Sequence, residues 1–341
     1  MTAGTTVLVA VPEVLRSAFF RAEQTVRLAD VAGALAPSGT VRWLDGGAAL
    51  QDDDLDWPDA QVLVTCWGQP PLDAALLARL PRLRLAAHTG GSVRPFVTAE
   101  SFARGVAVTQ AGQGMARSVA EVALTFTLAL LHQVPRFDRA LRTGVDWQQA
   151  EDVPPRHEIL GTPIGVVGAS RTGRAYLEVV RALGARPLLA DPYLTDAEAA
   201  DLGADLLPLD DLLSASRVVA LHAPSLPETH HLLDARRLAL LPDGAGLVNT
   251  ARSWLVDETA LLAELRSWRI DAALDVFDAE PLPVDHPLRH LPNVLLTPHH
   301  AAGTVEGRLR QGRIVVEEIE RLVRDEPLRH AVTEADLERM A

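Results

Sequence analysis

Short apolar runs alternating with helical patterns constrain this chain more than any other feature. In the first third they fall at Val7 to Val11, Val41 to Leu44, Gln61 to Thr65, Leu83 to Ala87 and Val106 to Thr109. Such runs, separated by helical stretches, are the pattern of parallel strands joined by helical crossovers. A second series follows the polar, Pro-containing segment Glu151 to His157: Ile164 to Val167, Pro187 to Ala190, Val218 to His222, Gly246 to Asn249, Ile270 to Leu274 and Val294 to Leu296. Each run is short, apolar and bounded by Gly, Pro, Asp or Asn, as in a parallel sheet buried on both faces. The expected fold class is therefore α/β, doubly wound. Between the two series, Ser118 to Val134 lacks Gly and Pro and reads as one buried connector helix; a helical pattern over Glu306 to Arg324 closes the chain.

At 341 residues and 48% hydrophobic composition, the chain has material for two ordinary cores. Its net charge of −13 argues against a nucleic-acid partner, because a sequence-independent grip on phosphates needs dense positive charge. All 32 basic residues are Arg. Cys66 is the single cysteine, which excludes an intramolecular disulfide framework and a Cys-clustered zinc site, and no metal site is expected. No apolar run approaches the roughly 20 residues of a membrane span, and the N-terminus lacks a basic segment followed by an apolar stretch. No membrane partner and a cytoplasmic location are the expectation.

The strongest local motif is Gly168-Ala169-Ser170-Arg171-Thr172-Gly173, placed between the strand at Ile164 to Val167 and an amphipathic helix reaching Leu183. In a dinucleotide fingerprint the first Gly makes the tight turn, the second admits the pyrophosphate, and the third packs helix on strand. Gly168 and Gly173 fit, whereas Ser170 stands where the second Gly belongs. Its hydroxyl either bonds a phosphate or crowds the pyrophosphate. Asp191, eighteen residues past Gly173 at the end of the next apolar run, is placed to accept hydrogen bonds from an adenosine ribose and to repel a 2′-phosphate, which favours NAD over NADP.

Downstream, three apolar runs each end in polar residues: Asn249-Thr250-Ala251-Arg252, Asp275 through Glu280-Pro281, and Thr297-Pro298-His299-His300. Ligands of open parallel sheets sit beyond the carboxyl ends of the strands, where Arg252, Glu280 and His299 would converge. The residue types suit reduction of a 2-keto acid. An Arg stabilises the charge that develops on the carbonyl oxygen, a His donates the proton, and a Glu bonded to the imidazole orients it and favours its charged form.

With these residues in view, most of the chain resembles the D-isomer-specific 2-hydroxyacid dehydrogenases. The resemblance rests on Ser118-Val119-Ala120-Glu121, the glycine turn with Asp191, Leu221-His222-Ala223-Pro224 with Pro227-Glu228-Thr229, Val248 to Arg252, Asp275 to Pro281, and Leu296 to His299. It implies a catalytic Arg252, an orienting Glu280 and an acid/base His299. Arg171 and Thr172 would lie on the pyrophosphate, Asp191 on the ribose, and Thr250 and Asp275 near the nicotinamide. Gly168, Ser170, Gly173, His222, Pro224, Thr229 and Ala251 join them on the NAD side. The substrate carboxylate would rest on backbone amides of Gly90-Gly91-Ser92, with Trp67 lining the substrate side.

The resemblance also implies a flavodoxin-like substrate domain (1–113 with 305–341), a Rossmann NAD-binding domain (114–304) and a homodimer; separately, a cleft between two lobes is expected to close and exclude water before hydride transfer, about hinges near Gly112 to Met115 and Ala302 to Glu306. Departures from the family pattern are Ser170, Arg94 in place of Asp, Ser253-Trp254 in place of a Gly pair, Ala302 in place of Gly, and His300. The expected activity is hydride transfer between NAD(H) and a small 2-hydroxy or 2-keto acid. A weakly catalytic NAD-binding regulatory or scaffold protein of the same fold is the alternative.

Overall fold

The computed structural model describes residues 4–52, 56–337 and 340. Two compact units emerge, one spanning Met1–Met115 with Gly303–Ala341 and the other Ala116–Ala302. The first holds a sheet of β1 (Thr5–Ala10), β2 (Thr40–Leu44), β3 (Val62–Thr65), β4 (Leu85–His88) and β5 (Ala107–Gln110), all parallel, in the order β2-β1-β3-β4-β5. Successive side chains of a strand point to opposite faces. Val7 and Val9 accordingly join one core, with Ile314, Val315 and Ile319 of the helix Val305–Val323, while Leu8 and Ala10 join another around Trp57 and Leu77.

The second unit holds β6 (Pro163–Val167), β7 (Arg186–Ala190), β8 (Asp205–Leu206), β9 (Val218–Leu221), β10 (Gly246–Asn249), β11 (Asp271–Leu274) and β12 (Val294–Leu296), all parallel, in the order β12-β11-β10-β9-β6-β7-β8. Both sheets are doubly wound, as the apolar runs implied. Strand order reverses between β1 and β3 in one and between β6 and β9 in the other; such reversals open a crevice at the carboxyl ends of the strands. The glycine turn follows β6 at the second reversal.

The connector helix runs Gln113–Leu131, and a separate helix, Val134–Arg142, follows it. Gln113–Leu131 is long and apolar enough to cross a bilayer, which corrects the expectation that no segment meets that standard. Its apolar character has a use inside the fold: 56% of its most apolar window is buried, and Ala120, Ala123, Phe126, Leu130 and Leu131 enter the core beside β6.

Backbone geometry makes the glycine turn intolerant of side chains. Gly168 has φ of +95°, and a Cβ there would lie 2.7 Å from both the nitrogen and the Cα of Ala223. Gly168→Ala is expected to destabilise the second unit by about 2 kcal/mol or more, from the left-handed conformation together with the steric overlap. Equilibrium urea unfolding checks this, and an unchanged midpoint would contradict the close approach.

Candidate active site

The turn after β6 is fastened from three directions. Asp191, at the end of β7, accepts through Oδ2 from the Ala169 amide at 2.7 Å and through Oδ1 from the Tyr193 amide at 2.9 Å. Arg174 Nε donates to the Ala169 carbonyl at 2.9 Å. Gly173 admits the backbone of Gly168, whose carbonyl oxygen would lie 2.1 Å from a Cβ at position 173. Ser170 is the N-cap of the helix Arg171–Ala182: its Oγ accepts from the Gly173 amide at 3.3 Å and sits 3.0 Å from Thr172 Oγ1. The hydroxyl in the second-glycine position is thus engaged with its own helix.

Two other residues expected on the cofactor side serve as supports. The His222 ring is buried beneath the turn, 4.9 Å from the Tyr176 ring, and neither ring nitrogen has a partner. Thr229 Oγ1 accepts from the Leu226 amide at 2.8 Å and donates toward the Pro224 carbonyl at 2.7 Å, closing the loop that carries Pro224.

Arg252 is positioned by a residue the sequence reading did not single out. Asn249 ends β10, where its Oδ1 accepts from the Ala251 amide at 3.0 Å and its Nδ2 donates to the Arg252 carbonyl at 2.8 Å. The Thr250 hydroxyl in that bend is buried without a hydrogen-bond partner. Arg252 Nη1 donates to the Ala251 carbonyl at 2.6 Å. Burial lowers the guanidinium from its ordinary value, and the negative charge of Glu280 opposes that shift, so the two groups lie within electrostatic reach.

Glu280 and His299 meet directly. Glu280 Oε2 lies 2.7 Å from His299 Nδ1, and its Oε1 accepts from the Phe277 amide at 3.0 Å. Both side chains reach solvent. His299 has φ of +50°, a left-handed conformation that favours glycine, so the surrounding loop must hold it there. Asp275 does this. Its carboxylate is buried and accepts from Thr297 Oγ1 at 2.5 Å, from the His300 amide at 2.9 Å and from the Ala301 amide at 2.9 Å. The residue expected beside the nicotinamide therefore staples both sides of the His299 turn.

In the first unit, the carboxyl ends of β3 and β4 bring Trp67 to Gly90. A Cβ on Gly90 would lie 2.6 Å from His88 Nε2 and 3.2 Å from Trp67 Nε1; one on Gly91 would lie 2.5 Å from Met115 Cε. His88 Nδ1 pairs with Thr65 Oγ1 at 2.9 Å, and Ser92 Oγ is buried without a partner among the described residues.

A family model described as D-isomer specific 2-hydroxyacid dehydrogenase, NAD binding domain, matches residues 124–301. The chain belongs to the D-isomer specific 2-hydroxyacid dehydrogenase family. D-3-phosphoglycerate dehydrogenase of Mycobacterium tuberculosis is 38% identical over 290 residues, covering 84% of this chain and 53% of that protein. The chain thus spans about half the length of the phosphoglycerate dehydrogenases it matches. Glyoxylate reductase of Korarchaeum cryptofilum is 33% identical over 253 residues, 73% of this chain and 76% of that one. Among solved structures, a phosphoglycerate oxidoreductase from Rhizobium etli superposes with a TM-score of 0.72 at 28% identity, covering 96% of this chain and 98% of that chain.

The family's NAD fits the residues present. The amino-terminal end of a twelve-residue helix meets the glycine turn, where backbone dipoles favour a pyrophosphate. Asp191 stands against the same turn, and the buried Thr250 hydroxyl has unused hydrogen-bonding capacity near the carboxyl end of β10.

Two buried imidazoles give the fold a pH dependence. Burial pushes His222 down to about 3 and His88 down to about 4, so both are neutral in the folded chain at neutral pH. An unfolded histidine titrates near 6.5. Below that pH the unfolded chain binds protons that the folded chain refuses, so stability is complete above about 6.5 and falls with acidification, toward about 4 for His88 and about 3 for His222. Each histidine costs about 1.4 kcal/mol per pH unit in its window. Urea unfolding of His222→Gln between pH 6.5 and 4.5 is expected to show a shallower slope than the parent; an identical slope would count against the neutral buried ring.

Proposed function

We propose that the chain is an NAD-dependent oxidoreductase interconverting a D-2-hydroxy acid and its 2-keto acid. The carrying observation is the 2.7 Å pair of His299 Nδ1 and Glu280 Oε2 on a loop stapled by Asp275. With Nδ1–H donating to the carboxylate, Nε2 is the nitrogen that exchanges a proton with the substrate oxygen. In reduction it donates to the oxygen as negative charge develops there; in oxidation it accepts the hydroxyl proton. Arg252, partly desolvated, stabilises the charged oxygen. The turn from Gly168 to Gly173 and Asp191 would hold the cofactor, which would give hydride as NADH in the reduction and take it as NAD+ in the oxidation. The loop Gly90-Gly91-Ser92 offers backbone amides and the unpartnered Ser92 hydroxyl to a carboxylate.

Spectrophotometry with NADH and a panel of 2-keto acids tests the assignment. Loss of the acid/base in His299→Ala is expected to lower kcat by about 100-fold to 10,000-fold without unfolding the protein. NADH binding with no turnover across the panel would defeat the enzyme reading in favour of a regulatory one.

The assembly we propose is a homodimer. Supporting it, Val134, Leu141, Trp147 and Leu160, gathered within one segment of the second unit, expose 52%, 50%, 70% and 72% of their surface. Brought together on one surface, such side chains would suit an association face. Sedimentation is expected to give twice the 36.7 kDa chain mass, and Trp147→Asp to shift the protein toward monomer; a parent chain that sediments as monomer would refute the assembly.

A further inference from the structure

The helix Val305–Val323 carries an arginine whose surroundings the acid/base chemistry leaves unexplained. The helix is capped at its amino-terminal end, and two contacts define the inward face of its first turns. Thr304 caps it, accepting from the Gly307 amide at 3.0 Å. Gln311 is buried and donates from Nε2 to the Thr89 carbonyl at 2.7 Å. Gly312 lies so close to Phe19 that a Cβ would fall 1.8 Å from the Phe19 carbonyl oxygen.

Residues three and four apart share a helix face, and side chains lean toward the amino terminus. Arg308 stands three before Gln311 and four before Gly312. It therefore occupies the same face one turn earlier, over the carboxyl ends of β3 and β4. The Thr89 carbonyl that Gln311 holds leads into Gly90-Gly91-Ser92, and Phe19, against which Gly312 packs, lies 6.0 Å ring to ring from Trp67. Cys66 registers the same placement: burial pushes its thiol up, while the positive charge of Arg308 is among the influences pulling it back.

Arg308 is half-buried, and among the described residues its guanidinium has no ion pair or hydrogen bond. Elsewhere on the same helix, Arg313 pairs with Glu317, and Arg321 with Glu318 and Glu326. In a chain of net charge −13, a partly desolvated cation left without an acid is conspicuous, because desolvation without a counterion is unfavourable. A guanidinium presents a planar fork of donors matched to a carboxylate or a phosphate. With no lysine anywhere in the chain, arginine is the cation available for that task.

We propose that Arg308 is a specificity determinant that receives a second anionic group, a carboxylate or phosphate at the far end of the 2-keto acid, while Gly90-Gly91-Ser92 takes the carboxylate common to all such acids. This rests on the reading given under Proposed function.

Steady-state kinetics with NADH separate the cases. Pyruvate and hydroxypyruvate carry uncharged tails; 2-oxoglutarate and oxaloacetate add a carboxylate; phosphohydroxypyruvate adds a phosphate. At least one acid with a charged tail is expected to exceed the uncharged pair in kcat/KM by about tenfold or more, and the comparison of the two kinds tells carboxylate from phosphate. Arg308→Leu is expected to lower kcat/KM for that acid by about 10-fold to 100-fold while leaving pyruvate essentially unchanged. Preference for uncharged tails, or an equal loss on every substrate, would overturn the role. If no keto acid is turned over, the enzyme reading itself fails. Calorimetric titration with malonate then decides Arg308 separately: weaker binding in Arg308→Leu supports it, and equal binding overturns it.

Discussion

The buried carboxylate of Asp275 is the constraint on which the candidate chemistry depends. It lies one residue past β11, so its position is set by a sheet strand rather than by a loop. Its three acceptor bonds go to Thr297 on one side of His299 and to His300 and Ala301 on the other. Loop residues are ordinarily mobile, and a non-glycine residue at positive φ is held there only when its surroundings over-determine it. Asp275 supplies that determination, and Glu280 completes it from a second point anchored on the Phe277 amide. Imidazole orientation is thereby tied to β11 and β12 together.

A second set of constraints organises the turn after β6. Each nearby polar group fastens that turn to something else: Asp191 fastens it to β7, Arg174 to its own helix, and Ser170 caps the helix that begins there. From below, the neutral His222 ring and Tyr176 provide the floor. Tyr176 is in turn fixed at 2.5 Å to Thr127 of the connector helix. The nucleotide-facing surface is thus a rigid object, consistent with a preorganised phosphate cradle.

The strands were legible because a parallel sheet buried on both faces favours short apolar segments, and each run named for the two series became a strand within a residue or two. β8 has only two residues at a sheet edge, too few to carry a period. Helix limits were harder. The connector was expected from Ser118 but begins at Gln113, with Gly114 inside it, where the missing side chain makes room for Gln311. The real break falls at Gln133, which has φ of +57° and offers no glycine or proline as a signal. At the candidate site, Glu280 and His299 were readable from residue type and motif order. The roles of Asn249 and Asp275 were not, since a carboxylate at a strand end looks the same in sequence whether it faces a ligand or a neighbouring turn.

The discontinuous first unit imposes an order on biosynthesis. Val7, Val9, Val62, Val64, Leu85 and Ala87 form one face of its sheet; Leu28 and Val31 of the helix Ala22–Leu35 cover part of it, and the helix Val305–Val323 covers the rest with Ile314, Val315 and Ile319. A ribosome making this chain completes that sheet roughly two hundred residues before it delivers the cover. Throughout that interval the part of the face left for that helix stays uncovered, while the second unit is being made. The first unit therefore cannot close its core until the second unit has left the ribosome.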